Sequence, residues 1–224
     1  MTSKTGKIDS FPKLNWIWIA VNVMSWFLGE LAYDQLGSIF SYSSLGFLPI
    51  ILAPLIIALG QWLYLRRFFE KITWWIPATW FALSVNLFIA DMQTIAGEYG
   101  MAPFIVVSIL AGWVFTGVLQ WLVLRAHLPR AGWWILGSAA GSFFSQVISN
   151  IVSAIGFGVL FSLSSSDVVT LDSSTTVLNL IMLVSYLLGA ALGYGIYGLI
   201  TGYVLYKLAW NSSKAGQEES IPVD

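Results

Sequence analysis

Two acids interrupt long apolar stretches of this chain, Glu30 and Asp91. A charged side chain in hydrocarbon costs about 2.5–3.5 kcal/mol on insertion scales, so each acid needs a reason, and the chemistry it offers is proton or cation handling. Asn150 falls 59 residues after Asp91, and Ala32, two residues beyond Glu30, falls 59 before it. Glu30, Asp91 and Asn150 could therefore form a polar ring at one depth. The alternative is that both acids reach a headgroup region, one span ending before Asp34 and another soon after Asp91. A second polar set recurs at the opposite ends of the apolar runs: Gln61 stands five residues before Arg66, Gln120 five before Arg125, and Lys207 ends the last run. A glutamine there, about 7 Å deeper than the arginine, can bond neighbouring helix backbones. The arginine can reach lipid phosphate or a helix C-terminal carbonyl.

Other chemistry lacks its residues. The chain has no cysteine, which removes disulfides, thiolate metal sites and thiol catalysis. One histidine, His127, serves neither a serine nucleophile nor a paired-histidine metal site, and ligates no haem inside a span. There is no Walker loop, no Rossmann glycine pattern and no paired-carboxylate motif. No catalytic, cofactor or metal site is expected, and a net charge of −1 gives no footing for nucleic acid.

The elements that position these residues are long apolar segments. Of 224 residues, 58% are hydrophobic and 9% charged, and the mean hydropathy is +0.80; soluble domains carry about 25% charge. A spanning helix needs about 20 apolar residues, and six stretches qualify: Leu14 to Leu36, Phe47–Leu65, Trp74–Ile95, Pro103–Leu124, Trp133–Phe157, and one within Leu178–Leu208. Pro54 should kink the second. The first is too long, and lacks a small-residue cleavage site, to be a signal peptide.

All 10 basic residues then fall on one side and Glu98, Asp167 and Asp172 on the other, which predicts cytoplasmic N and C termini. A bacterial inner membrane or an equivalent internal membrane is the expected location. Nine of the 12 tryptophans (Trp16, Trp18, Trp62, Trp74, Trp75, Trp121, Trp133, Trp134 and Trp210) lie near the same ends, where an interfacial belt anchoring the protein in lipid is expected.

Gln61-Trp62-Leu63-Tyr64-Leu65-Arg66 returns 59 residues later as Gln120-Trp121-Leu122-Val123-Leu124-Arg125, and Trp16-Ile17, Trp75-Ile76 and Trp134-Ile135 share that spacing. In the last copy Lys207 stands 82 residues after Arg125, and Gly202 and Tyr203 replace Gln-Trp. The added 23 residues fall near 158–180, in an external Ser/Thr-rich loop. The expected fold is all-α: a polytopic membrane protein of six transmembrane helices, built as three parallel repeats of a helical hairpin (about 14–72, 73–131 and 132–209). Tails 1–13 and 210–224 flank this 14–209 membrane domain. The string Gln-Trp-Leu-x-Leu-Arg followed by Trp-Trp-Ile resembles uncharacterised bacterial multi-pass membrane proteins over roughly residues 60–145. The resemblance implies no activity.

Small residues recur at every fourth position in Gly137, Gly141, Ser145, Ser149 and Ser153, and Gly189, Gly193, Gly195, Gly198 and Gly202 supply a matching surface. Such ridges let membrane helices approach closely, so the fifth and sixth spans should pair most tightly. A solute path or a homo-oligomer seam would use the same residues. Two functions follow. One is a non-enzymatic accessory, assembly or scaffold component whose partners are the lipid bilayer and other membrane proteins or itself. The other is a small-solute or ion transporter or channel with a polar path along the pseudo-threefold axis.

Overall fold

The computed structural model describes residues 16–40, 45–98, 102–164 and 171–218. They form six helices: α1 (Trp16–Phe40), α2 (Leu48–Leu65), α3 (Trp75–Glu98), α4 (Ala102–Leu124), α5 (Trp133–Ser164) and α6 (Leu171–Glu218), with a short 3-10 turn at Ile72–Trp74 before α3. No strand occurs among the described residues. Apolar runs of this length favour helix because every interior backbone N–H and C=O is bonded within the segment. Among the described residues, four stretches are long and apolar enough to cross a membrane: Leu48–Leu65, Ile72–Ala90, Trp133–Val159 and Leu180–Ser212. Ile109–Leu124 is a shorter apolar stretch of α4, and α1 is diluted by Asn22, Glu30, Asp34 and Gln35.

Pro54 lies inside α2 and is buried there. Proline removes a helix hydrogen bond and disturbs the preceding turn. In that turn the Ile51 carbonyl accepts a bond from the Trp80 indole of α3 at 2.9 Å, so a neighbouring helix supplies a partner beside the proline, and α2 runs on through it to Leu65.

Each helix packs on its neighbours in sequence, and α6 closes on α1, giving a ring of six. The α5–α6 contact is the most extensive. A Cβ built on Gly137 would lie 2.7 Å from Val204 Cγ2, and one on Gly141 would lie 3.0 Å from Tyr197 Cδ2. Further along, Ser149 Oγ donates to the Gly189 carbonyl at 2.9 Å, and a Cβ on Gly193 would lie 2.8 Å from the Ser145 carbonyl. Gly198 and Gly202 depart from the expected surface: they face α1, where added Cβ atoms would come within 2.9 Å of Ile19 Cα and Trp18 Cδ1. The step from Gly193 to Gly198 is five residues, about 140° around the helix, so α6 presents one glycine face to each neighbour.

The segment near 158–180, expected as a loop, is mostly helical: α5 runs to Ser164 and α6 starts at Leu171. Likewise α6 continues to Glu218, through much of the expected C-terminal tail. A continuous helix keeps its backbone bonded at the cost of few polar side chains, and Ser and Thr at its ends do not forbid it. The tail 1–13, Asp167 and the chain beyond Glu218 lie outside the described residues.

The connections after α2 and α4 share their turn geometry. Arg66 N–H donates to the Trp62 carbonyl and Phe69 N–H to that of Leu65; 59 residues on, Arg125 donates to Trp121 and Leu128 to Leu124. Both connections pass through a left-handed residue, Lys71 and Arg130, each at φ 58°. These loops carry the cations Arg66, Arg67, Lys71, Arg125 and Arg130, and mark one end of the bundle as basic.

Candidate functional site

Just inside the basic end lies a layer of buried polar side chains. Trp75 at the start of α3 donates its indole N–H to Gln61 Oε1 of α2 at 3.3 Å, and Trp134 of α5 donates to Gln120 Oε1 of α4 at 3.0 Å. Each glutamine spends its amide on a third helix: Gln61 Nε2 donates to Asn22 Oδ1 of α1 at 2.9 Å, and Gln120 Nε2 to Thr79 Oγ1 of α3 at 3.1 Å. At the α6–α1 junction the Trp18 indole donates to Thr201 Oγ1 at 3.0 Å. Thr201 in turn donates to the Tyr197 carbonyl of its own helix at 2.7 Å. Leu65, Leu124 and Leu205 pack around this layer, all fully buried. It closes the axis of the ring at the basic end.

The tryptophans divide sharply, against the expectation of a uniform lipid belt. Trp18, Trp75 and Trp134 are 0% exposed, whereas Trp16, Trp74 and Trp133 are 67%, 75% and 64% exposed. Helix neighbours point about 100° apart, so in each Trp-Trp pair one ring enters the bundle and the other faces outward. In α1 the buried ring belongs to Trp18, the second Trp-Ile dipeptide, and not to Trp16-Ile17. Counted from Trp18, the spacing to Trp75 is 57 residues, and to Trp134 a further 59. The polar residue four positions on is buried each time: Asn22, Thr79 and Ser138. That Trp-x-x-x-polar pattern was the sequence signal for this layer.

Gln61 and Gln120, expected to bond helix backbones or face lipid headgroups, instead bond side chains in the interior. Arg66 and Arg125 are exposed. Their guanidinium carbons stand 4.7 and 5.2 Å from the ring centres of Trp62 and Trp121, and Lys207 Nζ stands 5.6 Å from that of Tyr203, within cation–π range. The stacking lays each charge back over the preceding turn of its own helix.

Beyond the layer the axis opens into a cavity of about 420 Å³. Asn86, Thr116, Ser142, Gln146, Asn150, Trp26 and Tyr194 are among its walls. Asn86 Nδ2 donates to Thr116 Oγ1 at 2.7 Å, and Gln146 Nε2 donates to Asn150 Oδ1 at 3.2 Å. The Trp26 ring stacks on Tyr194 with centroids 4.7 Å apart, and its buried Nε1 has no hydrogen-bond partner. An occupant that accepts a hydrogen bond would satisfy that N–H, because a buried polar group without a partner is costly.

Of the expected ring, Asn150 lines this cavity, and Glu30 stands behind it. The Glu30 carboxylate accepts hydrogen bonds from Tyr186 and Tyr194, both on α6, so Tyr194 joins acid and cavity. The side chain of Asp91 lies outside the described residues. Counted from the buried tryptophans, Asn150 and Asp91 are each 16 residues along, as is Asp34, whereas Glu30 is 12. Glu30 therefore sits about 6 Å, one helical turn, nearer the basic layer than Asn150. Its phenolic partners were not legible, because nothing in the sequence spacing ties α1 to α6.

No group of three or more metal-ligating side chains occurs among the described residues. No protein-family model, curated protein or solved structure matches the chain.

Proposed function

We propose that this chain is a non-enzymatic binding component of a membrane, engaging lipids or other membrane helices through its outer faces, and not a conduit across the bilayer. In this reading all six helices span, as three parallel hairpin copies, with both termini and the basic loops on the cytoplasmic side of a bacterial inner membrane or its equivalent. The single observation that carries it is the buried layer at Trp18, Gln61, Trp75, Gln120, Trp134 and Thr201, fully enclosed and hydrogen-bonded across the ring. Opening it to a solute would break several bonds at once.

A second reading, a transporter for a small solute, is favoured by the polar cavity beyond that layer and by the partnerless Trp26 N–H. One experiment separates the two. In this cysteine-free chain, Ser142→Cys in the cavity and Thr79→Cys in the layer are probed in sealed vesicles with an impermeant thiol reagent from each side. The binding reading expects the Ser142→Cys variant to be labelled from one side at most and the Thr79→Cys variant from neither. Labelling of the Thr79→Cys variant from both sides would replace it with the transporter.

A further inference from the structure

Between α3 and α4, on the outside of the ring, a groove of about 860 Å³ runs inward from the basic loop. Its walls are apolar side chains, Pro77, Ala78, Phe81, Leu119 and Leu122 among them, and Lys71 stands at its mouth. From Trp74 to Phe81 the wall rises about 10 Å. We infer that this groove binds one anionic phospholipid, its phosphate at the Lys71 ammonium and an acyl chain along the α3–α4 wall.

Three observations carry the inference, which rests on the reading of the chain as a lipid-binding membrane component. The first is charge complementarity: Lys71 is exposed, and its loop also holds Arg66 and Arg67 against one acid, Glu70. An ammonium offers three rotatable donors to a phosphate.

The second is the backbone at Lys71, which holds φ 58° and ψ 24°. Glycine adopts this left-handed conformation without penalty, and a lysine there carries strain. The same conformation recurs at Arg130, so both loops keep a cation where glycine would fit better; of the two, Lys71 is the one that lines the apolar groove.

The third is the way the groove mouth is fixed. His127, three residues after α4, stands with Nε2 2.8 Å from the Glu70 carbonyl and Nδ1 3.1 Å from that of Val123. It ties the loop bearing Lys71 to the helix forming the other wall. Both ring nitrogens of His127 face carbonyls and not the groove mouth, which leaves the phosphate to Lys71. Trp74, 75% exposed beside it, places an indole at headgroup depth.

The test is native mass spectrometry of the full chain equilibrated with equal amounts of phosphatidylglycerol and phosphatidylcholine of matched chains. The expected result is one retained phosphatidylglycerol, preferred about fivefold over phosphatidylcholine, the equivalent of ~1 kcal/mol for one lysine at a membrane surface. Lys71→Gln should bring the preference close to one. Lys71→Gly should do the same and, being unstrained at φ 58°, guards against loss of fold. Arg130→Gln removes the same charge from the loop 59 residues on, outside the groove, and should leave the preference intact. Ala78→Trp, which fills the groove, should lower retention of both lipids. A preference that survives both Lys71 changes, or falls equally with Arg130→Gln, overturns the site and leaves general lipid contact standing. Labelling of the Thr79→Cys variant from both sides would overturn the broader reading instead, whatever the lipid result.

Discussion

The junctions α2–α3 and α4–α5 are built one way and the junction α6–α1 another. At the first two, a glutamine uses both ends of its amide, accepting from the tryptophan of the next helix and donating to the previous one, and so ties three helices at one point. At α6–α1 the acceptor is Thr201, whose own proton goes to its own helix. A threonine cannot reach the third helix, and Ser138, which corresponds to Asn22 and Thr79, makes no proper hydrogen bond, although buried Tyr197 lies beside it. Closeness replaces the lost tie. Gly202 stands where the 82-residue offset puts glutamine, and its bare Cα lets the Trp18 ring approach, as Gly198 lets the α1 backbone approach at Ile19. In this layer the ring is thus closed twice by glutamine bridges that tie three helices and once by a Trp–Thr bond between two helices backed by close van der Waals contact, which membrane helices use because lipid gives no hydrophobic drive for their association.

The largest effect should come from breaking a bridge. Gln120→Leu leaves the Trp134 N–H and the Thr79 hydroxyl without their partner and should cost about 2 kcal/mol or more, read as lowered stability to denaturing detergent. Thr201→Val keeps the shape and removes one acceptor, so about 1 kcal/mol should be lost; an equal cost for both variants would mean that the junctions are not different in kind. Ser138→Ala removes a hydroxyl with no good partner and should change stability by less than about 0.5 kcal/mol, or raise it slightly. A loss near that of Gln120→Leu would show a working bond at Ser138 and restore the likeness of the three junctions.

Much of the basic layer was legible. Gln61 and Gln120 stood out because a glutamine inside an apolar run has to be bonded, and their spacing repeated with the Trp and Arg around them. The partners were less legible. Trp-Ile occurs twice at the start of α1, and only burial picks Trp18 over Trp16. The third junction was obscured because surface and core disagree by one residue: Lys207 over Tyr203 keeps the 82-residue offset from Arg125 over Trp121, while Thr201 and Leu205 follow Gln120 and Leu124 at 81. Glu30 was legible as an acid in need of a partner, and Tyr194 as that partner was not.

The sequence by itself determined the helical class and the approximate ends of most helices, because apolar length and internal backbone bonding are local properties of a segment. It also determined that small residues on α5 would admit α6 closely. Only the tertiary structure decided that α6 closes on α1, that Gly198 and Gly202 serve that contact, and which of two adjacent tryptophans turns inward. These depend on the rotation of each helix about its own axis. That rotation is set by packing against helices far away in the chain, where a displacement of one residue moves a side chain by about 100° and from lipid to core.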